Sequence, residues 1–220
     1  MQNLDLPNIP TTVANHMRSL IISGQLSSGQ KLNEVQLSKR LGISRPTLRA
    51  AFQILENECL VASTPRKGTN VKKLSIEDLR ELYDAREMIE CYAIDLIESK
   101  QIKDLSALER SLGEASLLTV PKGDNVDDRL HSLDVTSDFH IRLVQVTGNQ
   151  RICQFYRTIA SNLKQYQFMH LTIPGMGGRS LKYHQEIFSL LKKGAYSSAK
   201  KTLVRHFNNT LKDLERLLLS

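Results

Sequence analysis

The stretch LSKRLGISRPTLRAAFQILENECLV, residues 37–61, decides how the first third of the chain folds. Leu48, Ala51, Phe52 and Leu55 recur at i, i+3, i+4 and i+7, the spacing of one buried helical stripe. Ser44 stands where an N-cap belongs, and Pro46 falls in the first turn, where a missing N–H costs little. Arg45 and Arg49, four apart, share a face away from that stripe. Just upstream, a shorter helix is predicted over about Glu34–Leu41, with Val35 and Leu37 inward and Gly42 stopping it.

Working outward, Val13, Met17, Leu20 and Ile21 predict a helix over about Thr11–Ser23. The glycines and serines of SGQLSSGQKL (23–32) break it. After Cys59, LVASTPRKGTNVKKL (60–74) reads as a short strand, a turn and a second short strand, with Arg66, Lys67 and Gly68 at the tip. Helix, helix, tight turn, helix, hairpin is the order of a winged helix-turn-helix. The first turns of its third helix reach base edges in the major groove. There Arg45 and Arg49 are candidates for bidentate contacts with guanine. Ser44 and Thr47 are candidates for phosphates beside the helix N-terminus. Arg40 and the wing residues Arg66, Lys67 and Gly68 complete the candidate DNA-binding set. The plainer reading is a solvated helix with surface arginines.

Charge distribution weighs against that plainer reading. The 220 residues carry a net charge of +7, and residues 1–73 hold ten Lys/Arg against four Asp/Glu. The remaining 147 hold twenty against nineteen. A basic segment joined to a nearly neutral one suggests a polyanion-binding module on a larger body. With 40% hydrophobic and 24% charged residues the composition is ordinary for a globular protein. No run of about 18 apolar residues suggests a membrane span, and MQNLDLPNIP lacks the order of a signal peptide, so a cytoplasmic protein is expected. Cys59, Cys91 and Cys153 are scattered and odd in number, which suggests buried reduced thiols.

The linker is expected at about Val71–Ser75, giving domains 1–73 and 74–220. Beyond it the pattern is helical almost throughout. Ser75 caps a run to about Ser99 in which Leu79, Leu82, Ala85, Arg86, Ile89 and Ala93 recur, and Asp104 is a further start. PKGDN (121–125), TGN (147–149), PGMGG (174–178) and KGA (193–195) are breaks, leaving six helices. The fold class is therefore mainly α: a winged helix-turn-helix with a small β-hairpin wing, followed by an all-α bundle.

His140, His184 and His206 lie in three different helices, each bordering an apolar stripe: beside Leu143 and Val144, Ile187 and Phe188, and Leu203 respectively. Three imidazoles directed into one bundle could hold Zn²⁺ or a similar divalent ion with a position left open. The plainer reading of each, taken by itself, is a hydrogen-bonded helical histidine.

The quoted stretch, the RKGTNV hairpin and the leading VANHMRSLIISGQLSSGQKLNE together resemble the DNA-binding domain of GntR-family transcriptional regulators, nearly continuously over residues 11–73. The resemblance implies DNA contacts at Arg45, Thr47, Arg49 and Gly68. Pro46-Thr47 reverses the commoner Thr-Pro order, and Ala50 replaces a common acidic residue. Residues 75–220 resemble the all-helical effector (FCD) domain of the FadR-like branch, through DFHIRLVQVTGNQRI and YHQEIFSLLKKGAYSSAKKTLVRHF. Six helices suggest the VanR-type subgroup.

That branch implies a divalent metal, Zn with Ni or Mn as alternatives, held by one Asp and three His. The histidines match His140, His184 and His206, but the Asp position is Thr136, with Asp134 and Asp138 on other faces. Two outcomes stay open: metal on three histidines with water or a ligand oxygen, or an organic ligand alone. Arg86 matches an arginine that lines the effector cavity, where it would suit a carboxylate; pairing with Glu90 at i+4 is the alternative. Thr136 and Asn149, of the GN signature, complete the candidate effector set. The resemblance implies small organic acids, sugar acids or related metabolites as effectors. One recognition helix covers only a few base pairs, so a homodimer on a palindromic operator is expected, and the main reading is a ligand-responsive repressor. A three-histidine metalloenzyme competes poorly, since HExxH, a Gly-rich phosphate loop and a nucleophile elbow are all missing. Constitutive DNA binding with a purely structural helical domain is the remaining alternative.

Overall fold

A computed structural model describes residues 8–118, 125–171 and 176–219. The chain divides into two compact units, Met1–Leu74 and Ser75–Ser220. In the first, α1 (Ile9–Ile22) is capped by the Asn8 side chain and has a proline in its first turn. Then come β1 (Lys31–Leu32), α2 (Glu34–Leu41), α3 (Arg45–Asn57), β2 (Val61–Thr64) and β3 (Gly68–Val71). The three strands form one antiparallel sheet in the order β1-β3-β2. The two-residue β1 was not foreseen, because so short a strand carries no alternation to read.

Met17 and Ile21 of α1 meet Leu48, Ala51, Phe52 and Leu55 of α3 in the core of this unit, together with Leu60 and Val71. The predicted stripe of α3 is thus its buried face. Gly42 adopts the left-handed conformation at φ 65°, and the Gly42 and Ile43 amides return to the Lys39 and Ser38 carbonyls. That closes α2 and turns the chain sharply into α3. Val35 corrects the sequence reading. It is 60% exposed, whereas Leu37 and Leu41 pack on the core. Two positions from Leu37 is about 200° around a helix, so both cannot face inward.

Ser44 caps α3 by accepting from the Thr47 N–H at 3.2 Å. Ser44→Ala should therefore cost about 0.5–2 kcal/mol of stability, with the fold retained. Urea unfolding of the two proteins measures this, and an unchanged midpoint would rule out the cap as a stabilising contact.

The second unit comprises, among the described residues, six helices: α4 (Ile76–Ser99), α5 (Ser106–Leu117), α6 (Val126–Gln145), α7 (Gln150–His170), α8 (Met176–Lys192) and α9 (Tyr196–Leu219). Ser75 caps α4 by accepting from the Asp78 N–H. The Asp104 carboxylate accepts from Ser106 N–H as α5 begins. Of the expected breaks, 121–124 and 174–175 lie outside the described residues, while Met176–Gly178 already belong to α8. α4 packs on α7 and α9, α8 on α9, and α6 on α7, so α6, α8 and α9 border a common interior with α4. Of the three cysteines only Cys153 is buried; Cys91 is half-buried, and Cys59, in the turn after α3 with φ 56°, is exposed. None of the described helices is long and apolar enough to cross a membrane.

Candidate DNA-reading face and buried histidine site

With its apolar stripe turned inward, α3 presents Arg45 and Arg49 to solvent. Arg45 is the first helical residue. The Arg49 guanidinium is two-thirds exposed and donates from Nε to Glu34 Oε2 at 2.8 Å. So exposed an ion pair contributes at most about 1 kcal/mol, a small barrier to exchange for a nucleic-acid partner. Ser44 and Thr47 share a hydroxyl hydrogen bond of 2.7 Å beside the helix N-terminus. Arg40, Arg66, Lys67 and Gly68 are likewise exposed. Gly68 has φ 92°, and the Lys67 N–H closes the turn on the Thr64 carbonyl. A side chain at Gly68 would strain this turn.

In the second unit, α6 supplies His140, α8 His184 and α9 His206, exposed by only 3%, 2% and 5%. One nitrogen from each lies within 4.8 Å of the others, and the Nε2 atoms of His184 and His206 are 3.3 Å apart. Two nitrogens bound tetrahedrally at about 2.0–2.1 Å from one ion stand about 3.3–3.4 Å apart, so this edge already has metal-site dimensions. Burial, reinforced by Arg86 and, at His184 and His206, by neighbouring histidines, holds all three imidazoles well below the usual histidine range. They are therefore neutral, the form that ligates metal. Phe139 stacks on His184 at 4.6 Å and 7°, restraining that ring from one side.

Behind the histidines lies a fully buried polar network. Arg86 donates from Nε to Glu90 Oε1 at 2.8 Å, Tyr156 donates its hydroxyl to the same oxygen at 2.8 Å, and His140 Nδ1 lies 2.7 Å from Glu90 Oε2. Burial leaves the Glu90 carboxyl raised above the ordinary carboxylate range, although Arg86 and Tyr156 pull it down. For Arg86, burial opposes the charge, but Glu90 and the tyrosines outweigh it. A guanidinium in direct contact favours the carboxylate, and we assign that form. The Arg86 guanidinium also lies 4.3 Å over the Phe207 ring.

The histidines open onto a cavity of about 40 Å³, whose lining includes Arg86, Thr136 and His170. Thr136 donates its hydroxyl to the Ser132 carbonyl at 2.8 Å.

Residues 10–71 match the family described as bacterial regulatory proteins, gntR family, and residues 81–209 match the FCD domain. The chain belongs to the GntR family, with an FCD domain. It is a DNA-binding transcriptional regulator and not an enzyme. Among its relatives is the HTH-type transcriptional regulator YdhC of Bacillus subtilis, 26% identical over 205 residues, covering 93% of this chain and 90% of the relative. Another is the HTH-type transcriptional repressor RspR of Escherichia coli K12, 24% identical over 208 residues, covering 91% and 86%. A crystal structure of a GntR transcriptional regulator from Rhodococcus sp. RHA1 superposes with a TM-score of 0.72 at 26% identity, covering 93% of this chain and 96% of that one.

In this FCD regulator the tertiary structure brings His140, His184, His206, Arg86 and Thr136 to one cavity. Asn149 lies apart from them: its side chain caps α7, accepting from the Arg151 and Ile152 N–H groups, and is not among the residues lining this cavity. Arg86 pairs with Glu90, as the i+4 alternative expected, and also lines the cavity. Asp134 and Asp138 pair with Lys164 and Arg142 instead. Sequence reasoning missed Tyr156, Phe139 and the buried cavity residue His170. Their placement depends on distant partners, and no local spacing marks them.

Proposed function

We propose that this regulator is a metabolite-responsive repressor that binds a palindromic operator as a homodimer, in the cytoplasm. The observation that carries the reading is the cluster of three buried, neutral histidines facing a polar cavity in a DNA-binding chain. A purely structural bundle would have no need of such a cavity, which disfavours constitutive binding. The relative named as a repressor supports the sign of regulation.

In this reading His140, His184 and His206 hold a divalent ion, Zn²⁺ first, with Ni²⁺ or Mn²⁺ as alternatives. Bound there, the ion supplies a Lewis-acid position for an oxygen of the effector. Thr136, a hydroxyl in place of a carboxylate, leaves that position to water or ligand. A cavity of about 40 Å³ accommodates roughly three water-sized groups, at about 10–15 Å³ each. It thus suits an ion with a carboxylate group better than a whole sugar acid, and a larger effector would have to widen it. Arg86 lines the cavity with its charge matched by Glu90, so the ion supplies the net attraction for a carboxylate-bearing ligand.

On the DNA side, Arg45 and Arg49 read bases, Ser44, Thr47 and Arg40 contact phosphates, and Arg66, Lys67 and Gly68 form the wing contact. A single α3 covers few base pairs, and two related by a dyad read successive major grooves. The effector acts only if it binds the DNA-competent and DNA-incompetent arrangements with different affinity.

The test is operator binding by the full chain, with and without a panel of short carboxylates and sugar acids in the presence of Zn²⁺. A shifted binding curve is expected, and a panel without effect would favour the constitutive alternative. In the same assay Arg45→Ala should lose about 1–3 kcal/mol of discrimination between operator and unrelated DNA. Unchanged discrimination by the folded variant would remove Arg45 from the reading set.

A further inference from the structure

We propose that Glu90 is the positioning residue of the histidine site: its Oε2 holds His140 as the Nδ1–H tautomer and so turns a bare Nε2 toward His184 and His206. The metal-binding consequence rests on the reading that these histidines ligate an ion; the tautomer itself does not.

The argument begins with the two oxygens of Glu90, a side chain with 0% exposure. Oε1 takes both the Arg86 Nε–H and the Tyr156 hydroxyl, at 2.8 Å each. Two donors on one oxygen, from α4 and α7, fix the rotation of the carboxylate and leave Oε2 for His140 alone among the hydrogen bonds described. A carboxylate accepts and cannot donate, so the proton in the 2.7 Å contact belongs to Nδ1. A neutral imidazole carries one N–H, and its Nε2 lone pair is therefore free. The opposite tautomer would set two lone pairs against each other at 2.7 Å.

This order also explains why a charged group is retained at 0% exposure in the interior. Arg86 neutralises Glu90, Tyr156 orients it, and Glu90 in turn orients His140. Carboxylates in this position on a ligating histidine set its tautomer and basicity, and their loss costs about 10–100-fold in metal affinity.

Long-range ¹H–¹⁵N spectra of the metal-free, histidine-labelled full chain should show His140 protonated at Nδ1. Nε2 protonation would overturn the proposal, and this measurement needs no variant to fold. In Glu90→Gln the amide oxygen keeps the Arg86 and Tyr156 donors, and the NH2 group, which can only donate, faces His140 Nδ1. The His140 proton should therefore move to Nε2, and Zn²⁺ affinity, read by chelator competition, should fall about 10–100-fold. A folded Glu90→Gln protein with wild-type affinity and tautomer would also overturn it. If the wild-type chain takes up no Zn²⁺ at all, the metal reading fails, and the tautomer measurement decides the role of Glu90 on its own.

Discussion

Replacing Arg86 with methionine should destabilise the helical unit by about 3–5 kcal/mol, because it strips the charge partner from a carboxylate with no access to water. Arg86 is 2% exposed and Glu90 0%, and their ion pair is 2.8 Å long. The remaining donors, Tyr156 and His140, are neutral and cannot offset the Glu90 charge. Methionine fills much of the space against Phe207 and Tyr83 but brings no charge. Removing both members, in Arg86→Met/Glu90→Gln, should recover much of the loss, since replacing a whole buried pair is often near neutral. Urea unfolding followed by circular dichroism, with hydrogen exchange of α4 and α9 to assign the transition, measures both variants. A loss in Arg86→Met under about 1 kcal/mol, the range of an exposed pair, would show that the buried pair is not needed for folding.

The double variant His184→Ala/His206→Ala should abolish metal uptake, taking the purified regulator from about one divalent ion per chain to none. Both side chains are neutral and border the existing cavity, so their truncation enlarges a space already present and strands no charge. The fold should survive, with an unchanged helical spectrum as the control. Elemental analysis of both proteins decides the matter. Wild-type chains without metal after incubation with Zn²⁺, Ni²⁺ and Mn²⁺ would defeat the metal reading. So would a double variant that still carries a full complement.

Much of the first unit was legible because its determinants are neighbours in the chain. Ser44, the Leu48/Ala51/Phe52/Leu55 stripe and Gly42 act over one or two turns, and caps and periodicity report them directly. Misreadings arose where a local pattern had more than one solution. Val35 and Leu37 are both apolar, but only one could face the core, and the packing of α2 against α3 chose Leu37. The strand β1 exists because β3 pairs with it, at Lys31↔Asn70 and Leu32↔Thr69, a partner nearly forty positions away. Cys59 was expected inside and lies outside because the chain turns there.

In the helical unit the sequence by itself determined the run of helices, the breaks at 147–149 and 193–195, and three histidines bordering apolar stripes, all short-range properties. It also placed Arg86 and Glu90 four apart, close enough to pair. Only the tertiary structure decided that His140, His184 and His206 face one another, because α6, α8 and α9 meet through packing between residues far apart in the chain. It alone recruited Tyr156 from α7 to Glu90 and turned Glu90 toward His140. Asn149 was drawn off to cap α7, where a helix N-terminus had amide groups to satisfy. Local spacing specifies which face of a helix is buried. Which partners that face meets is set by the packing of the whole bundle, and that is where the histidine site arises.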